Sequence, residues 1–125
     1  MNLFVYGTLK DRRLIQSLLE RPLGDPNVAI MPECTTVISS RGFPVIIPRD
    51  NYSVEGVVWR GLTVQDFTVL DRYEGCHVET PIYQREKRKV VINGKTEKVW
   101  VYFATSTFLI SMRKGSDEPN ISRIT

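Results

Sequence analysis

The Asn93-Gly94 dipeptide lies between two long runs of strand-forming residues, and it constrains this 125-residue chain more than any other feature. Asn-Gly readily supplies the two consecutive positive φ angles of a two-residue type I′ turn, so Ile82 to Ile92 and Lys95 to Ala104 are predicted to pair as one antiparallel hairpin. A two-residue turn also fixes the register. With Ile92 facing Lys95, Arg85 falls opposite Tyr102 and Lys87 opposite Trp100 on one face, while Val90, Val99, Val101 and Phe103 share the other. One face is then apolar, the other cationic and aromatic. Lys89 opposite Lys98 is a like-charge pair that needs water to screen it, so the turn end is expected to project into solvent.

The rest of the chain reads as short strands punctuated by glycine and proline, with two helices. Residues Arg12 to Glu20 place Leu14, Ile15, Leu18 and Leu19 at helical spacing, and Arg21-Pro22 ends the run. Gly24 to Asn27 reads as a loop and Thr35 to Ser39 as a strand. Val45-Ile46-Ile47 is a strand that Pro48 stops, and Val54 to Trp59 is another. Thr63 opens the second helix, with Asp66 as its capping-box partner and Leu62 and Phe67 placed for a hydrophobic staple. This order lacks the regular strand-helix alternation of a doubly wound sheet. The expected architecture is α+β, a small mixed β-barrel over residues 1–104 with short helices packed outside. Residues 105–125 form a C-terminal segment that holds Phe108-Leu109-Ile110 and a polar end, and it is expected to be partly ordered.

Hydrophobic content of 42% and charged content of 25% exclude a mainly disordered or fibrous chain, and the length suits one domain. A net charge of +3 is dispersed apart from Arg85-Glu86-Lys87-Arg88-Lys89, which suggests attraction to anions without commitment to nucleic acid. Cys34 and Cys76 read as free thiols. With an N-terminus that opens straight into a strand and no long apolar run, the protein is expected to be cytoplasmic, off the membrane, and a monomer or homodimer.

Two places can carry chemistry. The turn Tyr6-Gly7-Thr8-Leu9 follows the first strand, and its Gly7, Thr8 and Leu9 amides lack regular partners there, which suits a carboxylate or phosphate; the same glycine also suits a simple change of direction. Glu74 ends the Thr63 helix before a capping Gly75, where the helix's negative end and partial burial both raise a carboxyl pKa toward the range of a proton carrier. That position also suits a solvated glutamate. His77 is the single histidine and has no sequence-level partner, so no metal site is expected, and neither a dinucleotide fingerprint nor a phosphate loop is present. Tyr6 and Tyr102 are candidate hydroxyl donors at a barrel mouth, whereas Arg85 and Trp100 read as a charged sheet face supporting a core edge.

Five segments in order, Tyr6-Gly7-Thr8-Leu9, Gly42-Phe43-Pro44, Val54-Glu55-Gly56-Val57-Val58-Trp59, Leu70-Asp71-Arg72-Tyr73-Glu74-Gly75 and Tyr83-Gln84-Arg85, resemble the gamma-glutamylcyclotransferase-like, or AIG2-like, family over roughly residues 2–104. The resemblance implies a β-barrel enclosing a pocket, with Tyr6, Gly7, Thr8 and Leu9 holding the glutamyl end of a small-molecule substrate and Glu74 as acid-base catalyst. It implies release of 5-oxoproline and a free amine without a cofactor. The leaving-group side of such a pocket is expected around Phe43, Tyr52 and the chain after Ala104. A small basic barrel that binds a metabolite or a single strand without turnover is the alternative.

Overall fold

The computed structural model describes residues 1–39, 42, 44–76 and 83–114, the last four by backbone alone. In chain order the elements are β1 (Leu3–Val5), a 3-10 turn (Thr8–Lys10), α1 (Arg12–Leu19), β2 (Asn27–Ile38), β3 (Pro44–Trp59), α2 (Val64–Tyr73), β4 (Tyr83–Ile92), β5 (Lys95–Ala104) and α3 (Ser106–Lys114). The strands close into a barrel in the order β1-β3-β2-β4-β5, and the seam between β1 and β5 is parallel, so the barrel is mixed.

Asn93 and Gly94 both take positive φ, 51° and 76°, and the β4–β5 register is the one a two-residue turn dictates: Arg85 faces Tyr102, Lys87 faces Trp100 and Lys89 faces Lys98. Val90, Val99 and Val101 are buried inside the barrel. The opposite face of this hairpin is not left to water, because α2 packs on it: Phe67 meets the edge of Trp100 at 6.2 Å, and both belong with Tyr102 to the core between barrel and helices. Ile82 lies outside the described residues.

The second long hairpin departs from the sequence expectation. β2 starts at Asn27, where a loop was expected, and β3 runs unbroken through Pro48. Pro32 faces Ser53 but Cys34 faces Pro48, so residues 49–52 bulge against Glu33 alone. Glu33 and Asn51 adopt φ of 59° and 66°, and the Asn51 amide donates to the Glu33 carboxylate at 2.9 Å. A proline beside a bulge costs the ladder little, which is why Pro48 does not stop the strand.

β1 is buried on both faces: Phe4 points into the barrel, Leu3 and Val5 into the layer under the helices. Gly56 on β3 makes this close packing possible, since a Cβ there would lie 2.3 Å from the Val5 carbonyl oxygen and 2.7 Å from the Phe4 ring. The second helix carries the cap its sequence announces, and the first is capped as well. Asp11 accepts from the Arg13 amide, and Thr63 and Asp66 form a reciprocal capping box, with Leu62 and Phe67 buried together beside it. α2 ends in a Schellman motif. Gly75, at φ 77°, bonds the Arg72 carbonyl, and the Cys76 amide bonds that of Asp71. α3 covers one more apolar patch, with Phe108 buried against Val37, Val45 and Ala104. Among the described residues, no helix is long and apolar enough to cross a membrane. Cys34 and Cys76 are free thiols.

Candidate active site

The chain leaves β1 at Tyr6 and folds at once into the 3-10 turn, whose first internal donor is Lys10, bonded to the Gly7 carbonyl at 3.1 Å. The amides of Gly7, Thr8 and Leu9 precede that donor and have no acceptor within the turn. Leu9 is buried, and Trp59 Nε1 donates to its carbonyl at 2.9 Å, which anchors the turn to β3.

Tyr6, Gly7, Thr8, Leu9 and Glu74 line one cavity of about 270 Å³, together with Pro44, Tyr73, Tyr83, Tyr102 and the β1 residues Phe4 and Val5. The turn arrives from the end of β1 and Glu74 from the end of α2, because Phe67 and Leu70 of that helix pack in one core layer with Leu3 and Val5 of the strand. Glu74 is half-buried, and burial pushes its pKa up to about 7. The phenols around it are held far above their usual range. Burial is the leading cause in all three cases; the Glu74 charge adds to it for Tyr6 and Tyr83, and the bond to Asp71 adds to it for Tyr102. These hydroxyls therefore stay protonated, and each is engaged. Tyr6 donates to the Tyr102 carbonyl at 3.2 Å, Tyr83 to the Pro44 carbonyl at 2.6 Å and Tyr102 to the Asp71 carboxylate at 2.6 Å. At the mouth, the Tyr73 hydroxyl and Thr8 Oγ1 lie 3.2 Å apart and tie the helix end to the turn.

Other expectations need correction. Tyr52 does not reach the cavity; it sits half-exposed in the β3 bulge under the Arg49 guanidinium, 4.2 Å from the ring centre. The chain after Ala104 contributes Ser106 and Leu109 to a separate cavity of about 550 Å³, where β2 and β4 diverge beyond their single pairing of Ile30 with Val91. Phe43 and His77 lie outside the described residues. Sequence reading gave no role to Tyr73 and Asp71, although the three-residue spacing of Asp71 from Glu74 was a usable signal. Among the described residues, no group of three or more His, Cys, Asp or Glu side chains is placed to hold a metal ion.

A five-stranded mixed barrel with three short helices is the gamma-glutamyl cyclotransferase-like fold. Residues 3–121 match the family described as gamma-glutamyl cyclotransferase, AIG2-like, and the chain belongs to that family. Among curated relatives from Arabidopsis thaliana, AIG2-like protein C is 27% identical over 80% of this chain and AIG2-like protein B 32% identical over 80%. The chain spans 55% of the length of each. A solution structure of an Arabidopsis thaliana protein superposes with a TM-score of 0.72 at 25% identity, covering 93% of this chain and 83% of that one. A gamma-glutamyl cyclotransferase superposes at 0.71 and 22% identity over 84% of this chain and 66% of its own, a likeness of fold alone.

Proposed function

We propose that this chain is a gamma-glutamyl cyclotransferase acting on a small-molecule gamma-glutamyl amine or gamma-glutamyl amino acid. The observation that carries the proposal is a half-buried carboxylate, Glu74, in the same cavity as the Tyr6–Leu9 turn. The Gly7, Thr8 and Leu9 amides hold the substrate's α-carboxylate, which turns its α-amine toward its own γ-carbonyl. Glu74 takes a proton from the ammonium, and the freed nitrogen attacks the γ-carbonyl carbon. One C–N bond forms the five-membered ring, Glu74 returns the proton to the leaving nitrogen as its bond to carbon breaks, and the ring nitrogen's second proton passes to the released amine, which departs as an ammonium. The Thr8 and Leu9 amides also face the charge that develops on the carbonyl oxygen. The products are 5-oxoproline and a free amine, and the balance needs no cofactor. Tyr6 and the ring of Tyr102 shape the cavity wall.

Incubation with a panel of gamma-glutamyl amines and dipeptides, read as 5-oxoproline released, tests the assignment; no product from any member rejects it. Because the base must be ionised, kcat/KM should rise with pH through about 7, the value to which burial pushes Glu74 in the free chain. A profile already flat from pH 5 upward contradicts a base of this kind.

The basic end of the hairpin stands apart from this site. None of Lys87, Arg88 and Lys89 lines the cavity; Arg88 pairs with Glu86 at 2.7 Å and lies over the Phe103 ring, and Lys87 lies over Trp100. Changing all three to glutamine should leave turnover within about threefold, since exposed charges chiefly steer partners and are screened by salt. Collapse of turnover in a folded variant, or loss of a tight RNA complex, favours the binding-module alternative.

A further inference from the structure

The last turn of α2 is held by a polar clamp set among aromatic rings. Arg85 on β4 donates to both carboxylate oxygens of Asp71, from Nε at 3.0 Å and from its terminal nitrogen at 3.1 Å, and the Tyr102 hydroxyl donates to the same carboxylate at 2.6 Å. The guanidinium is sandwiched, 4.2 Å from the Phe67 ring and 4.4 Å from the Trp100 ring. Phe67 and Asp71 stand four residues apart on α2, so the Arg85 fork grips two successive turns of that helix. Trp100 and Tyr102 bind the same group to β5. A surface ion pair would need none of this, and here both partners are largely withdrawn from solvent, with side chains 24% and 29% exposed.

We propose that Asp71, Arg85 and Tyr102 are positioning residues whose task is to hold Glu74 in the cavity, a role that rests on Glu74 being the proton carrier. Glu74 follows Asp71 by three residues, on the same side of the helix. The Asp71 side chain pins the turn before Glu74 to the hairpin, and its carbonyl accepts the Cys76 amide at 2.9 Å, which closes the chain after Glu74. Glu74 is thus fixed from both sides. The clamp also reaches the cavity wall, because the Tyr102 carbonyl accepts the Tyr6 hydroxyl. Release of the Asp71 contact frees the helix end to swing Glu74 toward water, and a displacement of about 1 Å at a base is enough to cost on the order of 10²-fold in rate.

Charge is not the means. Among the described residues, the titratable groups whose charge couples to that of Glu74 are Tyr6 just beyond β1, Tyr83 from β4 and Cys76 beyond the helix, and Tyr73 and Tyr102 line the same cavity; burial raises Tyr6, Tyr83, Tyr102 and Cys76, the last to about 11, so these four are neutral near pH 7. Asp71 and Arg85 offset one another. A charge-conserving change therefore separates position from electrostatics. Arg85→Lys keeps the positive charge and loses the planar fork, and Tyr102→Phe removes one hydroxyl while the buried ring stays.

The test is a carbon-13 NMR titration of the Glu74 carboxyl group, assigned by its loss in Glu74→Gln, in wild type and both variants, alongside 5-oxoproline kinetics. The expected result is a Glu74 midpoint that falls by a unit or more toward the ordinary glutamate value of about 4.3 in each variant. With it, kcat should drop roughly 10- to 100-fold and KM change less than about threefold, the pattern of a displaced base. A midpoint unchanged in both variants, with folded spectra, overturns the clamp even if turnover falls. Should Arg85→Lys fail to fold, the outcome rests on Tyr102→Phe, whose ring still fills its site. If wild type releases no 5-oxoproline but the midpoint moves as described, the cyclotransferase assignment fails and the positioning of Glu74 stands.

Discussion

Glu74→Gln is expected to lower kcat by about 10²- to 10⁴-fold, because the amide keeps the size and polarity of the side chain but cannot carry a proton. KM should change little, since in the proposed reaction the glutamyl carboxylate sits at the Gly7 to Leu9 turn and not at Glu74. The same variant makes an independent prediction about stability. Burial pushes the Glu74 carboxyl up to about 7 in the folded chain, above its value in an unfolded chain. Below the unfolded value the carboxyl is neutral in both states and imposes no penalty. As pH rises toward 7 the unfolded chain loses its proton first, so the folded state becomes relatively less stable, and it remains so above 7. Glutamine cannot ionise. Glu74→Gln should therefore melt higher than wild type at pH 8, with the difference vanishing near pH 4. An active variant eliminates Glu74 as the base, and a melting difference independent of pH contradicts its burial.

Among the described glycines, Gly56 is the one whose change to alanine should be most damaging. Its Cβ would fall 2.3 Å from the Val5 carbonyl oxygen, and that oxygen belongs to backbone locked between β3 and β5. A flexible side chain could turn aside; a paired strand cannot. Relief requires β1 to move away from β3, which opens the core at Phe4 and shifts the turn that β1 delivers to the cavity. The expected cost is about 3 kcal/mol or more, a fall in melting temperature of roughly 10 °C or more. Turnover per folded molecule should fall with it. A melting temperature within 2 °C or so of wild type, at the edge of what one small core change does, would show that β1 is not packed as described.

Legibility in the sequence followed the range of the interactions involved. The β4–β5 register, the α2 capping box, the staple and the Gly75 cap were all readable, because each depends on residues a few positions apart whose chemistry admits one local geometry. The β2–β3 hairpin was misread: Asn27 to Cys34 was not expected as strand and Pro48 was expected to split β3, since the bulge is set by Glu33 meeting Asn51 across the ladder, a pairing that neither segment announces. Tyr102 was readable as a residue near the site, but not the destination of its hydroxyl. Asp71 looked like an ordinary helix acid until Arg85 and Tyr102 arrived from another part of the chain.

The sequence by itself determined the hairpin, both early helices with their ends, and the two segments, Tyr6 to Leu9 and Leu70 to Gly75, that carry the family pattern. Only the tertiary structure decided that these segments share a cavity, that Tyr52 lies away from it, and that burial pushes the Glu74 carboxyl up to about 7. The physical reason is that turn and cap geometry are set by local dihedral preferences and short hydrogen bonds, which neighbouring residues fix. Burial of a carboxylate is set by what packs around it, and at Glu74 those neighbours include Tyr6, just beyond β1, and Tyr83 on β4, which lie far apart in the chain and are brought together only by barrel closure.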